Sequence, residues 1–273
     1  MDNTLLHRKQ INHTICIIKI KYVTLQANKS LLTMQTSSSY RALARESLQG
    51  RWGNAATATF IYFVAAMVCY TPGIPSSIHS SYCSLYGTMT ATSWWTESLN
   101  GLCVVLSVLI VAPLSYALLN ACLQMVRGNG QSMTSNMWGN LKGGYLSYLT
   151  AGVVVMFLES LLGLVTLGIG AVILSYAYRM VPFLLNDYPE MSIKDALKTS
   201  RQMMKGQKWN LFVLDMSFIG WYLLGIITLC IGYLWIMPYQ YVAVAHFYED
   251  LKAEKIVDDD AEQAVEEVNV EEA

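Results

Sequence analysis

Six long apolar segments are threaded by loops that alternate between Lys/Arg-rich and Lys/Arg-free, and no other property of this chain constrains its fold as much. A spanning helix needs about 20 mostly apolar residues to cross about 30 Å of hydrocarbon. Stretches of that kind run from about Trp52 to Tyr70, Leu99 to Val126, Trp209 to Leu229 and Gly232 to Tyr248. The apolar run from about Tyr145 to Leu185 is too long for one helix, and Gly163, Gly168 and Gly170 divide it in two. The expected fold is therefore all-α: a polytopic membrane bundle of six transmembrane helices in three hairpins, with interfacial amphipathic helices.

Lys and Arg in short loops are retained on the cytoplasmic side. Arg41, Arg45 and Arg51 precede the first segment, Arg127 and Lys142 bracket the loop before the third, and five basic residues from Lys194 to Lys208 precede the fifth. The intervening loops near 71–98 and 163–170 and the last turn, CIGY, carry none. This alternation places both termini in the cytoplasm. Composition agrees: 54% of residues are hydrophobic and only 14% charged, against about 25% charged in soluble domains.

The ends differ from the middle. Residues 1–39 read as a disordered leader or start-site extension, because Ile15–Ile18 is too short an apolar core for a secretory signal and Met34 opens a natural-looking start. Residues 40–252 form the transmembrane domain. Residues 253–273 read as an acidic, disordered cytoplasmic tail, since positions 258 to 273 hold eight carboxylates and no Lys or Arg. The topology puts Cys69, Cys83, Cys103 and Cys230 on or near the outer side, where a disulfide through Cys83 would need an oxidising compartment. Small buried hydrophobes are the plainer reading of the cysteines.

A threefold repeat is visible in outline. Each hairpin is entered through Trp and Asn (RWGNAAT, MWGNLKG, KWNLFVL), which makes Trp52, Trp138 and Trp209 the expected interfacial anchors. Each second helix then carries a proline, at 113, 182 and 238. Amphipathic arms precede two hairpins. In SIKDALKTSRQMMKG, one helical face collects Ile193, Ala196, Leu197, Ser200 and Met204, and another collects Lys194, Lys198, Arg201 and Lys205. Ser192 and Asp195 are spaced as a helix N-cap pair, and Gly206 fits a helix stop. Such a helix lies in the headgroup region with its basic face toward anionic lipid.

The stretch from Asp195 to Leu251, with Ser200, Gly206, Trp209, Trp221, Pro238, Tyr239 and the FYE of Phe247 to Glu249, resembles a family of bacterial integral membrane proteins, the domain-of-unknown-function family nine-seven-five. RALARESLQGRW at 41–52 is similar to that family's opening, so the resemblance covers about residues 40 to 252. It implies a six-helix bacterial inner-membrane protein with no assigned chemistry and no catalytic residues to carry over.

Ionisable side chains within spans are costly and therefore candidates for function. Arg179 and Asp215 lie about seven and six residues from the cytoplasmic ends of their helices, roughly 10 Å deep in one leaflet, where they could pair. Glu159 lies roughly 21 Å into the third helix with no obvious basic partner, a position suited to proton or cation handling or to an interfacial carboxylate. His246 stands alone near the inner end of the sixth helix. The sequence offers no metal-ligand spacing, phosphate loop, nucleophile elbow or carboxylate cluster, so no catalytic residue, cofactor or metal is expected, and nucleic acid is not an expected partner. The leading expectation is a non-enzymatic scaffold, accessory or lipid-contacting factor with a partner in the membrane; the alternative is a small transporter or channel using Glu159, Arg179 and Asp215.

Overall fold

The computed structural model describes residues 35–70, 94–128, 131–228 and 231–272, with side chains for all of these except 70, 94–100 and 256–272. The expected leader up to residue 34, the loop holding Cys83, and Cys230 lie outside the described residues. Every regular element among the described residues is helical: α1 (Ser37–Leu48), α2 (Trp52–Tyr70), α3 (Trp94–Val126), α4 (Met133–Val165), α5 (Ile169–Ala177), α6 (Val181–Asp187), α7 (Ile193–Met203), α8 (Lys208–Met216), α9 (Ile219–Ile227) and α10 (Tyr233–Glu272). The chain divides into two compact units: Ser37–His246, and Met1–Thr36 together with Phe247–Ala273.

Five stretches are long and apolar enough to cross a membrane: Trp52–Cys69, Gly101–Val126, Met133–Val165, Ile169–Asp187 and Lys208–Ile227. This is a multi-pass membrane protein. The sixth expected segment is helical within α10 but is not among the five, since residues 233–248 include Gln240, His246 and four tyrosines.

In the larger unit, α3 and α4 pack along each other, α2 lies against both, and α5 returns along α4. Lipid supplies no hydrophobic driving force between helices, so close packing must come from small side chains and hydrogen bonds. Ala117, Leu118, Ala121 and Cys122 on α3 are fully enclosed, while Leu164, Val165 and Ile169 at the α4–α5 turn are open. That turn ends α4 in a Schellman motif: Leu167 has a φ of 53°, Gly168 a φ of 89°, and the Gly168 N–H bonds the Gly163 carbonyl at 2.8 Å. The glycine reading of this turn holds.

Three boundaries differ from the sequence expectation. First, α4 starts at Met133, capped by Ser132, so Lys142 lies on a helix rather than at the edge of a loop. The polar run QSMTSNMWGN contains no proline, and a Ser cap suffices to begin the helix there. Second, α1 begins at Ser37, inside the segment read as leader, with Tyr40, Ala44 and Leu48 buried one turn apart. Third, α10 runs to Glu272, into the tail read as disordered; Ala, Glu, Gln and Lys are good helix formers.

Two spans are interrupted. Between α5 and α6 the backbone tightens around Arg179, with Arg179 N–H bonding the Tyr176 carbonyl and Val181 N–H the Tyr178 carbonyl, each three residues back. Between α8 and α9 the Phe218 N–H likewise bonds the Asp215 carbonyl three residues back. Such 3₁₀ stretches within helices mark hinges or strained positions.

Candidate functional site

The amphipathic arm forms as expected. Helix α7 is capped by Ser192, whose Oγ accepts from the Asp195 N–H at 3.2 Å and donates to Asp195 Oδ2 at 2.7 Å. Ala196, Ser200 and Met203 face inward, with Met204 just beyond, whereas Lys194, Lys198, Arg201 and Lys205 are all exposed. Gly206 follows with a φ of 87°. Ser200, fully buried, donates to the Ala177 carbonyl at 2.8 Å. That bond fastens α7 to the C-terminal end of α5, where a helix has carbonyls without helical partners. The basic face is therefore held outward by a specific polar contact on the opposite side.

Inside the bundle, the structure separates the three charged candidates into two neighbouring groups. Arg179 and Glu159 line one cavity of about 280 Å³, together with Tyr116, Ser175 and Tyr178. Among the described residues neither Glu159 nor Asp215 comes within ion-pair distance of Arg179. The Nε of Arg179 is buried without a hydrogen-bond partner. The expected direct pairing of Arg179 with Asp215 is thus not formed. Glu159, read as lacking a basic partner, instead shares its cavity with Arg179, because the α4–α5 turn folds α5 back along α4.

Asp215 belongs to the second group. Gln240 Nε2 donates to its Oδ1 at 2.7 Å, and the Tyr222 hydroxyl donates to Gln240 Oε1. The Tyr176 hydroxyl adjoins the same carboxylate. A carboxylate that accepts an amide hydrogen bond is stabilised without a full counter-charge. Gln240 is buried, and no signal in the sequence singled it out. A polar residue on the predicted sixth helix, two positions from Pro238, would have been the clue.

Asn120 was missed for the same reason. It is completely enclosed, and its Nδ2 donates to the Tyr148 hydroxyl and to the Pro182 carbonyl, both at 3.0 Å. It joins α3, α4 and α6 at one point. At the ends of α3 and α6, Arg127 and Asp187 form a two-pronged ion pair at 2.6 and 2.7 Å.

His246 shares a hydrogen bond of 2.9 Å with Ser47 Oγ. The anchor tryptophans diverge: Trp138 and Trp209 are exposed, the latter stacked on Phe212, whereas Trp52 is half-buried against Tyr239. Cys69, Cys103 and Cys122 are buried free thiols. No group of three or more His, Cys, Asp or Glu able to hold a metal occurs among the described residues.

Residues 146–255 match the model of the family described as Protein of unknown function (DUF975). The resemblance read from Ser200, Gly206, Trp209, Trp221, Pro238 and Tyr239 is borne out there. Comparisons with curated proteins and with solved structures gave no match. The opening at 41–52 lies outside the matched segment. Even so, Tyr239 within it donates to the Arg41 carbonyl at 3.1 Å and packs on Trp52.

Proposed function

We propose that this chain is a non-enzymatic protein of a bacterial inner membrane that contacts anionic lipid and serves as a scaffold or accessory factor for a membrane partner. In this reading residues 232–248 supply a sixth span, the spans form three hairpins, and both termini are cytoplasmic. The observation that carries it is α7, with Ala196, Ser200 and Met203 docked inward and four cations, Lys194, Lys198, Arg201 and Lys205, left facing out. Each cation near an anionic surface contributes about 1 kcal/mol. Replacing all four by Gln is expected to lower retention of phosphatidylglycerol on the purified protein by at least about tenfold, measured by native mass spectrometry. Unchanged retention would remove the lipid-contact reading, and co-purification of a defined membrane partner would support the accessory role.

One observation favours a second reading, a small transporter or channel. The interrupted spans α5–α6 and α8–α9 pack on each other through α5 and α8, with Arg179 at one interruption and Asp215 beside the other. Carriers use broken helices in this way to present polar groups within the bilayer. Ion and solute flux into liposomes, compared between wild type, Glu159→Gln and Asp215→Asn, tests it. Flux lost in either folded variant supports transport, and wild-type flux equal to empty liposomes rejects it.

A further inference from the structure

We infer that the Glu159–Arg179 cavity is a binding site for a small zwitterion, whose primary ammonium group meets Glu159 and whose phosphate or carboxylate meets Arg179. The inference requires neither α7–lipid contact nor transport, so occupancy without flux leaves it standing.

The argument begins with the charges. A full charge removed from water costs several kcal/mol unless it is paired and hydrogen-bonded, and within a bilayer such residues sit in protein-lined or watered spaces. Arg179 and Glu159 share one such space but do not close on each other, and the Arg179 Nε has no partner. Elsewhere in the same unit the chain shows what a satisfied group looks like: Asp215 with Gln240, and Arg127 with Asp187. The cavity is thus the place where opposite charges are held apart, not the place where they cancel.

The class of ligand follows. A simple anion would satisfy the guanidinium but meet the carboxylate, and a simple cation would do the reverse. A molecule carrying both signs satisfies both walls at once, with the guanidinium offering a planar fork to an oxyanion. Tyr116 and Tyr178 line the same space and add hydroxyls for the remaining oxygens, while the Ser175 hydroxyl, also on the wall, donates to the Val172 carbonyl at 2.8 Å. At about 280 Å³ the cavity falls just under the range, from about 300 Å³, of sites for drug-sized ligands, so the occupant is the size of a headgroup or an amino acid. Val108, Leu119, Val155 and Met156 are among the apolar residues of the wall, and Met156 is exposed on the outside of α4. The polar site therefore adjoins apolar surface, which suits either a free zwitterion or the headgroup of an aminophospholipid.

The test uses the full chain in nanodiscs of phosphatidylglycerol alone, titrated with phosphoethanolamine by isothermal calorimetry. Saturable binding is expected, with ethanolamine alone and inorganic phosphate alone at least about tenfold weaker. Phosphatidylethanolamine incorporated into the nanodisc then separates the sources. If it blocks the free ligand, the natural occupant is a lipid headgroup; if it does not, the site serves a soluble zwitterion. Glu159→Gln and Arg179→Gln should each weaken binding by at least about tenfold, and Val108→Phe, which fills the space while keeping both charges, should abolish it. No saturable binding by wild type, or halves that bind as well as the whole, overturns the inference without reference to any variant. Binding unchanged in all three variants overturns it as well.

Discussion

Helices α3 and α4 and the interrupted pairs α5–α6 and α8–α9 solve the same problem in opposite ways. The first two run unbroken for 33 residues each, although α3 contains Pro113. Proline removes the bond to the carbonyl four residues back, here that of Leu109. The Tyr145 hydroxyl on α4 donates to that carbonyl at 2.9 Å, so the group freed by the proline is satisfied by the neighbouring helix, as the bilayer demands. Pro182 acts differently. The carbonyl it frees, on Tyr178, is taken by the Val181 N–H in a tighter turn, and the helix stops and restarts. At these two positions the same residue type gives a continuous helix beside a partner hydroxyl and a hinge without one. The charged candidates Arg179 and Asp215 are found at the interruptions, where side chains have room to leave the helical stripe.

Experiments that disturb this contrast can be ranked by size. Asn120→Leu removes both hydrogen bonds at the α3–α4–α6 junction and leaves the buried Tyr148 hydroxyl without its donor. It should cost about 2–3 kcal/mol, read from reversible unfolding in mixed micelles; a cost under about 0.5 kcal/mol would show that the junction is not a structural pin. Ser200→Ala should cost about 1–2 kcal/mol in the same assay and loosen α7 from α5, seen as faster amide exchange over residues 193–203. Tyr145→Phe should cost about 0.6 kcal/mol, the typical value for a hydrogen bond between membrane helices, and bend α3 at Pro113. Spin-label distances across residue 113 would register the bend, and an unchanged distance would mean the Leu109 carbonyl does not depend on Tyr145. Pro182→Ala restores the missing N–H and should draw α5 and α6 toward one helix with little change in stability. The exposure of a cysteine at Ser175 to a polar thiol reagent would fall if the cavity closes with it, and unchanged labelling would detach the cavity from the break.

Much of this was legible without coordinates. The 54% hydrophobic composition and the lengths of the apolar runs located the spans, because the bilayer forces each spanning segment to satisfy its own backbone. The α7 arm was legible in detail, from the Ser192 cap to the exposed cations, since capping and helical periodicity are local. Glycines 163, 168 and 170 located the turn between α4 and α5, and Gly168 supplies positive φ at that reversal.

What the sequence could not express is which polar side chains meet. Glu159 and Arg179 are twenty positions apart and were read as belonging to different environments, yet the α4–α5 reversal sets them on one cavity. Asp215 found Gln240 rather than Arg179 because α10 brings an amide to the carboxylate. Three prolines in equivalent sequence settings produced two continuous helices and one break. At Pro113 and at Asp215 the outcome depends on a donor on another helix within about 3 Å, a distance fixed by helix packing and invisible to periodicity. Span length, orientation signals and caps are properties of single segments and are written in the chain; the partnering of buried polar groups is a property of pairs of segments, and only the tertiary structure decides it.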